Sequence, residues 1–469
     1  MPTAAPSIPP IADALIHVQC AYTSFARWKH FGLLDRERPW FARIAPLFRR
    51  LILVTYGGPD DHALAASLVP AEFADRVICI ANDDAEEPAR FQAGIPARVL
   101  GALPPRHTRS AVVFTDQHYG GEVANAVASV LREHRIRAGL IARGGYHWSW
   151  FTARDHGPDS PHAALAAARE GELCRAADVI IGSTRRMVDD LCWQHALPPD
   201  RARVIPNFVS VPEQTEAPAR DPRLILAAGR LEPQKRFDLL IRAVAHLATT
   251  HPAARLRIYG EGSLHAELTA LVRELRAPVE ILPRIPQTDL AAEMSRCAAF
   301  AQVSAFEGHP KTIIEALAHS APVVTTRGPG VDDEITPGVT GLITRDDPAA
   351  IAAALASLLD DPKYAARMGT AAAADIRARL SLSTIFPMVE RACRDALALN
   401  GSRATKPSGT VRWDQRLLNA DPASAAASFA GSINAYAKRL DPEAREAFRE
   451  ALDGALTPHP AHTPASSTT

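Results

Sequence analysis

The stretch Phe306-Glu307-Gly308-His309-Pro310-Lys311-Thr312-Ile313-Ile314-Glu315-Ala316-Leu317-Ala318 follows an apolar run, Phe300 to Val303, and sets two carboxylates eight positions apart with a glycine, a proline and a lysine between them. The run reads as a buried strand and Pro310 as the first residue of a helix, where its missing N–H costs nothing. Ile314, Leu317 and Ala318 then recur at helical spacing. Glu307 is expected in the strand-to-helix loop and Glu315 on the second helical turn. A strand passing through a tight loop into a helix is the repeating unit of a parallel α/β sheet.

The same unit repeats on both sides of this stretch. Upstream, the expected strands are Leu15 to Val18, Leu51 to Thr55, Val77 to Ile80, Val112 to Thr115, Gly139 to Ala142, Val179 to Gly182 and Val204 to Ile205. After a polar, proline-bearing stretch, Ser210 to Arg223, come Leu224 to Ala228, Leu256 to Tyr259, Val279 to Leu282, Phe300 to Val303, Val323 to Thr325 and Leu342 to Thr344. Such alternation predicts two doubly wound, Rossmann-like α/β domains, 1–209 and 210–383, facing across a cleft. A helix at 384–398 is expected to return to the first domain. A helical extension follows at 399–455, where Asp421-Pro422 and Asp441-Pro442 read as helix starts and Phe429, Ile433, Tyr436 and Leu440 form one stripe. The tail 456–469 reads as disordered.

With 469 residues, the chain exceeds the roughly 250–300 residues at which single cores stop growing. Its 52 basic and 52 acidic residues cancel, which argues against a nucleic-acid partner. One segment departs from this balance: across 25–50, Arg27, Lys29, Arg36, Arg38, Arg43, Arg49 and Arg50 outnumber Asp35 and Glu37 and alternate with Phe25, Trp28, Phe31, Trp40, Phe41 and Phe48. It reads either as a peripheral membrane contact or as a first helix packed on a sheet with solvated arginines. The six cysteines show no paired metal spacing and read as reduced thiols. No apolar stretch approaches bilayer length, so the expected location is cytoplasmic, at most peripheral to the inner face of the cell membrane.

In open parallel sheets a ligand crevice lies beyond the carboxyl ends of the strands. The loop Gly229-Arg230-Leu231-Glu232-Pro233-Gln234-Lys235-Arg236 crowds three cations at the start of the helix beginning near Phe237. Cations there oppose the helix macrodipole, a penalty that a bound anion such as a diphosphate reverses. Alternatively, Arg230 and Lys235 pair on the surface with Glu232, and Lys311 pairs with Glu315 at i,i+4. Both loops leave one sheet and should open on one crevice, which favours a shared anionic ligand. A third loop, Arg327 to Glu334, carries Gly328 and Gly330, which permit close backbone approach.

The series GRLEPQK, IYGEGSL, EGHPKTIIEALA, a Gly-Pro-Gly turn and Pro337 to Ile343 resembles the second lobe of the retaining glycosyltransferases of family 4, which have the GT-B fold. The resemblance covers roughly residues 175 to 395, taking in Ala177 to Thr184 and Val204-Ile205-Pro206-Asn207. It implies transfer of a hexosyl unit from a nucleotide-diphosphate sugar to a glycan or lipid-linked acceptor, in cell-surface polysaccharide or glycoconjugate synthesis. Arg230 and Lys235 would hold the diphosphate. Glu307 would bind donor-sugar hydroxyls, aided by the backbone of Gly308, His309, Pro310 and Lys311. Glu315 would accept the ribose hydroxyls, and Arg284 and Ile285 would lie where backbone reads the base. The family's mechanism needs no dedicated protein base. No metal or other cofactor is expected, since Arg and Lys can replace a divalent ion and the chain has no Asp-x-Asp pair.

The first lobe departs from the family pattern. In place of a double glycine after the first strand it offers only Gly32, and the usual histidine has no clear counterpart. The candidates are His118, Arg143 and His147, each histidine having a structural role as its alternative. Tyr146, Trp148, Trp150 and Phe151 can stack on sugar rings or form a buried cluster. Two other readings stay open: a non-catalytic GT-B-like nucleotide-sugar-binding scaffold, and a nucleotide-sugar epimerase.

Overall fold

A computed structural model describes residues 9–104, 107–210 and 219–402. Seven strands form the first sheet: β1 (Ala12–Val18), β2 (Phe48–Val54), β3 (Val77–Ile80), β4 (Ser110–Thr115), β5 (Arg137–Gly144), β6 (Val179–Gly182) and β7 (Ala202–Val204). Six form the second: β8 (Asp221–Ala228), β9 (Arg255–Tyr259), β10 (Val279–Leu282), β11 (Cys297–Gln302), β12 (Val323–Thr326) and β13 (Leu342–Thr344). The orders are β3-β2-β1-β4-β5-β6-β7 and β10-β9-β8-β11-β12-β13, parallel throughout. Each order reverses once, between β1 and β4 and between β8 and β11, and such a reversal opens a ligand crevice.

Helices cover both faces of each sheet, so the central strands are apolar along their length: all six residues of β11 are buried. The helix Phe237–Leu247 buries Phe237, Leu240, Ile241, Val244 and Leu247, the stripe its spacing predicts. In the deciding stretch, Pro310 is the N-cap and the helix runs Lys311–Ala318. The helix therefore begins one position later than the start expected from proline chemistry, an ordinary boundary difference.

The two lobes are tied twice. Val209 bridges to Ser381, and its N–H donates to Leu380 O at 2.9 Å, so the outgoing and returning chain segments lie side by side. The helix Leu382–Ser402 then packs back on β5 of the first sheet. Gly139 makes this approach possible, because a Cβ there would stand 2.7 Å from the Ala396 carbonyl carbon. One apolar cluster consequently runs from Leu51 and Phe114 through Ile385 and Ala396 to Leu226 and Phe300. The expected extension beyond residue 402 and the tail lie outside the described residues.

The segment 25–50 follows the second of its two readings, a first helix packed on a sheet. Its helices, Phe25–His30 and Leu33–Ile44, and strand β2 bury Phe25, Trp28, Trp40, Phe41 and Phe48 in the core. Burial in the protein removes the apolar face that would enter a bilayer, leaving a packed helix with solvated basic residues. Among the described residues no helix is long and apolar enough to cross a membrane. All six cysteines are free.

Candidate active site at the inter-lobe cleft

The loops after β8 and β11 flank the reversal of the second sheet. The 3-10 turn Pro233–Lys235 ends at Arg236, whose left-handed backbone (φ 48°) redirects the chain into the helix Phe237–Leu247. This geometry brings Lys235 Nζ to 2.6 Å from Glu307 Oε1, with both side chains nearly buried. The same oxygen accepts Gln302 Nε2 at 2.8 Å, and Gln302 Oε1 accepts the Thr312 hydroxyl at 2.5 Å. Both bonds to Glu307 use Oε1, leaving Oε2 for a ligand. Gln234 laces the two loops: its carbonyl accepts Ala305 N–H, its amide donates to Phe306 O at 2.8 Å, and its Oε1 receives Arg230 at 3.3 Å. Arg230 is exposed and keeps donors to spare.

The third cation of the first loop takes no part. Arg236 donates to Val303 O at 2.8 Å and to Thr326 Oγ1 at 3.0 Å, and pairs with Asp346 at 2.7 Å. Protein groups thus satisfy the charge that seemed to call for an anion. Pairing with Glu232 is not found either, since that carboxylate accepts the Ser263 N–H at 3.1 Å and hydroxyl at 2.7 Å.

Lys311 and Glu315 do not pair with each other. Lys311 Nζ lies 2.8 Å from Glu37 Oε1, and Arg36 approaches Glu315 Oε1 at 3.8 Å and Glu37 at 3.2 Å. Two cations and two carboxylates, one of each from either lobe, therefore close the cleft at this point. Burial pushes Glu37 up, but Lys311 and Arg36 outweigh it and hold the carboxyl at about 2. Burial raises Glu315, with Arg36 and Lys311 opposing, and burial together with Arg36 lowers Lys311. A ribose reaching Glu315 must displace or share Arg36.

Close contacts fix the remaining walls. Gly308 has no room for a side chain: a Cβ would meet Tyr146 Cβ at 2.9 Å and Gly145 O at 3.0 Å across the cleft. Gly330 (φ 80°) packs its backbone on Glu307, whose N–H donates to Pro329 O at 2.8 Å. Gly32 (φ 66°) sits against the second lobe, where a Cβ would lie 3.5 Å from Gln287 N and 4.0 Å from Ile285 O. Beside it the Phe31 ring receives the guanidinium groups of Arg284 at 4.5 Å and Arg27 at 5.4 Å. Burial lowers Arg284, Glu261 opposes this, and Arg230, Arg27 and Arg36 lower it further.

The first-lobe candidates separate. Arg143 reaches toward the second lobe, donating to Asp116 O at 3.1 Å and Asn207 Oδ1 at 3.0 Å. Asn207 bonds both the ring and the carbonyl of His309, whose Nε2 lies 2.8 Å from Glu334. The His309 ring is thus committed to the hinge, leaving only its backbone for a ligand. His118 and His147 are buried and directed at Glu170. A carboxylate within the first lobe takes one ring nitrogen of each, while His118 Nε2 and His147 Nδ1 have no hydrogen-bond partner. Trp150 and Phe151 pack edge-on against Phe306 at 5.4 and 5.1 Å, with Arg154 over Trp150 and Phe306. Phe306 is buried and its partners half-buried, so these rings act as an inter-lobe contact.

Gln234, Gln302, Asn207, Arg36 and Glu37 belong to the site and were not singled out as candidates from sequence. Asn207 had one signal, its place in the Val204-Ile205-Pro206-Asn207 crossing.

Residues 212–375 match the family model described as "Glycosyl transferases group 1". The resemblance of the second lobe to a group 1 glycosyltransferase is therefore borne out. D-inositol 3-phosphate glycosyltransferase of Streptomyces scabiei is 32% identical over 239 residues, 46% of this chain and 54% of that protein. The chain thus spans about half the length of this curated relative. Sucrose-phosphate synthase of Thermosynechococcus elongatus superposes with a TM-score of 0.62 at 16% identity, covering 82% of this chain and 99% of that one. HepE of Anabaena, solved with UDP and glucose, gives 0.60 at 17% identity, covering 81% and 98%. The fold is GT-B, as expected.

Proposed function

We propose that the chain is a retaining, metal-independent glycosyltransferase that moves a hexosyl unit from a nucleotide-diphosphate sugar to a glycan or lipid-linked acceptor. The observation that carries this reading is the convergence of Lys235, Glu307 and Arg230 where the second sheet's strand order reverses. A diphosphate entering there exchanges the Lys235–Glu307 contact for phosphate contacts with Lys235 and Arg230, freeing the carboxylate for donor-sugar hydroxyls. Negative charge on the departing diphosphate grows toward the transition state, so fixed cations lower the barrier more than they tighten the ground state. Glu315 takes the ribose once Arg36 yields, and the Arg284–Ile285 segment takes the base.

The relatives' names and the UDP and glucose bound to HepE support a nucleotide-sugar donor. The test is a screen of uridine, guanosine and adenosine diphosphate sugars for binding and slow donor hydrolysis. One of them should bind and turn over. Binding without turnover across varied acceptors would favour a scaffold, and no binding would remove the proposal.

A further inference from the structure

Six donor groups converge on one buried carboxylate in the first lobe. Glu170 Oε1 faces His118 Nδ1 at 2.8 Å and Trp148 N at 2.9 Å. Its Oε2 faces Ser149 Oγ at 2.5 Å, Ser149 N at 3.3 Å, His147 Nε2 at 3.2 Å and His195 Nε2 at 3.3 Å. A carboxylate has roughly four lone-pair sites on its two oxygens, so Oε2 is over-subscribed. Charge-assisted bonds to a carboxylate run at about 2.7–2.9 Å, and the two imidazole nitrogens stand off beyond that.

Their spacing has another meaning. Two ligands on a tetrahedral ion with bonds of about 2.0–2.1 Å lie roughly 3.3 Å apart. The ligating atoms of His147, Glu170 and His195 all fall within 4.8 Å of one another, and all three residues are buried. The approach of His195 depends on the residue after the carboxylate: a Cβ on Gly171 would stand 2.7 Å from His195 Nδ1. Ser149 Oγ, held by Gln194 at 2.9 Å, borders the place of a fourth ligand.

We propose that His147, His195 and Glu170 bind a zinc-class divalent transition-metal ion, a set of two imidazoles and one carboxylate suited to such metals. The ion is structural and separate from the donor chemistry. It clamps the segment His147 to Ser149 onto the helix Pro161–Ala176 and the end of the helix Arg185–Gln194. Tyr146, immediately before this clamp, is the residue that meets Gly308 across the cleft. The ion thereby fixes one wall of the donor site.

The test uses the full chain, purified without a histidine tag. Elemental analysis should find about one zinc per chain. After chelation, added Zn²⁺ should raise the Tm, because an ion that binds only the folded state stabilises it. Co²⁺ in its place should give visible absorption bands of four-coordinate intensity. His195→Ala and Glu170→Gln should lose the ion and the Tm response. If either variant fails to fold, wild-type metal content and the Co²⁺ spectrum decide. No stoichiometric metal together with no Zn²⁺-dependent Tm change in wild type would overturn the proposal, as would undiminished zinc binding by a folded His195→Ala.

Discussion

Lys235 Nζ and Glu307 Oε1 lie 2.6 Å apart although 72 residues separate them in the chain. Each follows a different strand of the pair at which the second sheet's order reverses, and each is nearly buried. An ion pair at this depth persists only with good geometry and further hydrogen bonds, which Gln302 supplies on the carboxylate side. The arrangement keeps a cation and an acceptor ready at one point, so a ligand that brings both phosphate and sugar can engage the two together.

Replacing Lys235 with Ala should slow sugar transfer by roughly 10²- to 10³-fold, a barrier increase of about 2.7–4 kcal/mol by analogy with one lost oxyanion donor. Single-turnover kinetics with the donor found by screening measure this. A rate equal to wild type would remove Lys235 from the chemistry.

Glu307→Gln should separate binding from transfer. The amide preserves shape but weakens the acceptor offered to donor-sugar hydroxyls, so transfer should fall far more than affinity for the nucleoside diphosphate, which carries no sugar. Calorimetry on the diphosphate and rates on the intact donor give the two numbers. Equal losses in both would assign Glu307 a structural role instead.

The cross-lobe contact of Glu37 with Lys311 should appear as a pH dependence. The carboxyl is held at about 2, below its ordinary 4.5, so its stabilisation is fully present above 4.5 and is lost as pH falls toward 2. The stability difference between wild type and Glu37→Gln, from urea midpoints, should shrink between about pH 6 and pH 3. A difference constant over that range would show that Glu37 gains nothing from Lys311 and Arg36.

Gly139→Ala should loosen the returning helix. Its Cβ would meet Ala396 and Leu397 backbone at 2.7–2.9 Å, and such overpacking costs roughly 1–3 kcal/mol. Gly58→Ala, with open space around the new methyl, is the control. A Gly139→Ala Tm matching that of Gly58→Ala would mean that the helix is not held by this contact.

Both sheets were legible because a parallel strand buried on two faces is written as a short apolar run, as in Val112 to Thr115 and Val179 to Gly182. Local chemistry also located the loops that carry Arg230, Lys235 and Glu307. Partners from distant elements were not legible. Nothing near Lys311 in the chain indicates that Glu37 will neutralise it, and the i,i+4 spacing to Glu315 suggests a partner that burial and the facing lobe override. Arg236 likewise finds Asp346 only after folding. The aromatics of 25–50 lack clean periodicity, so composition alone left a membrane surface and a packed helix both open, and the fold places five of them in the core. Glu170 drew no notice, because its three imidazoles come from three separate loops and helices.

The clasping of a diphosphate by Lys235 and Arg230 is tested most directly by isothermal titration of UDP, GDP and ADP into wild type, Lys235→Ala and Arg230→Ala. One nucleoside diphosphate should bind wild type, and each substitution should weaken it by about tenfold or more, as expected for the loss of a charge-assisted hydrogen bond. Equal affinity in all three proteins, or no binding of any diphosphate to wild type, would contradict the account.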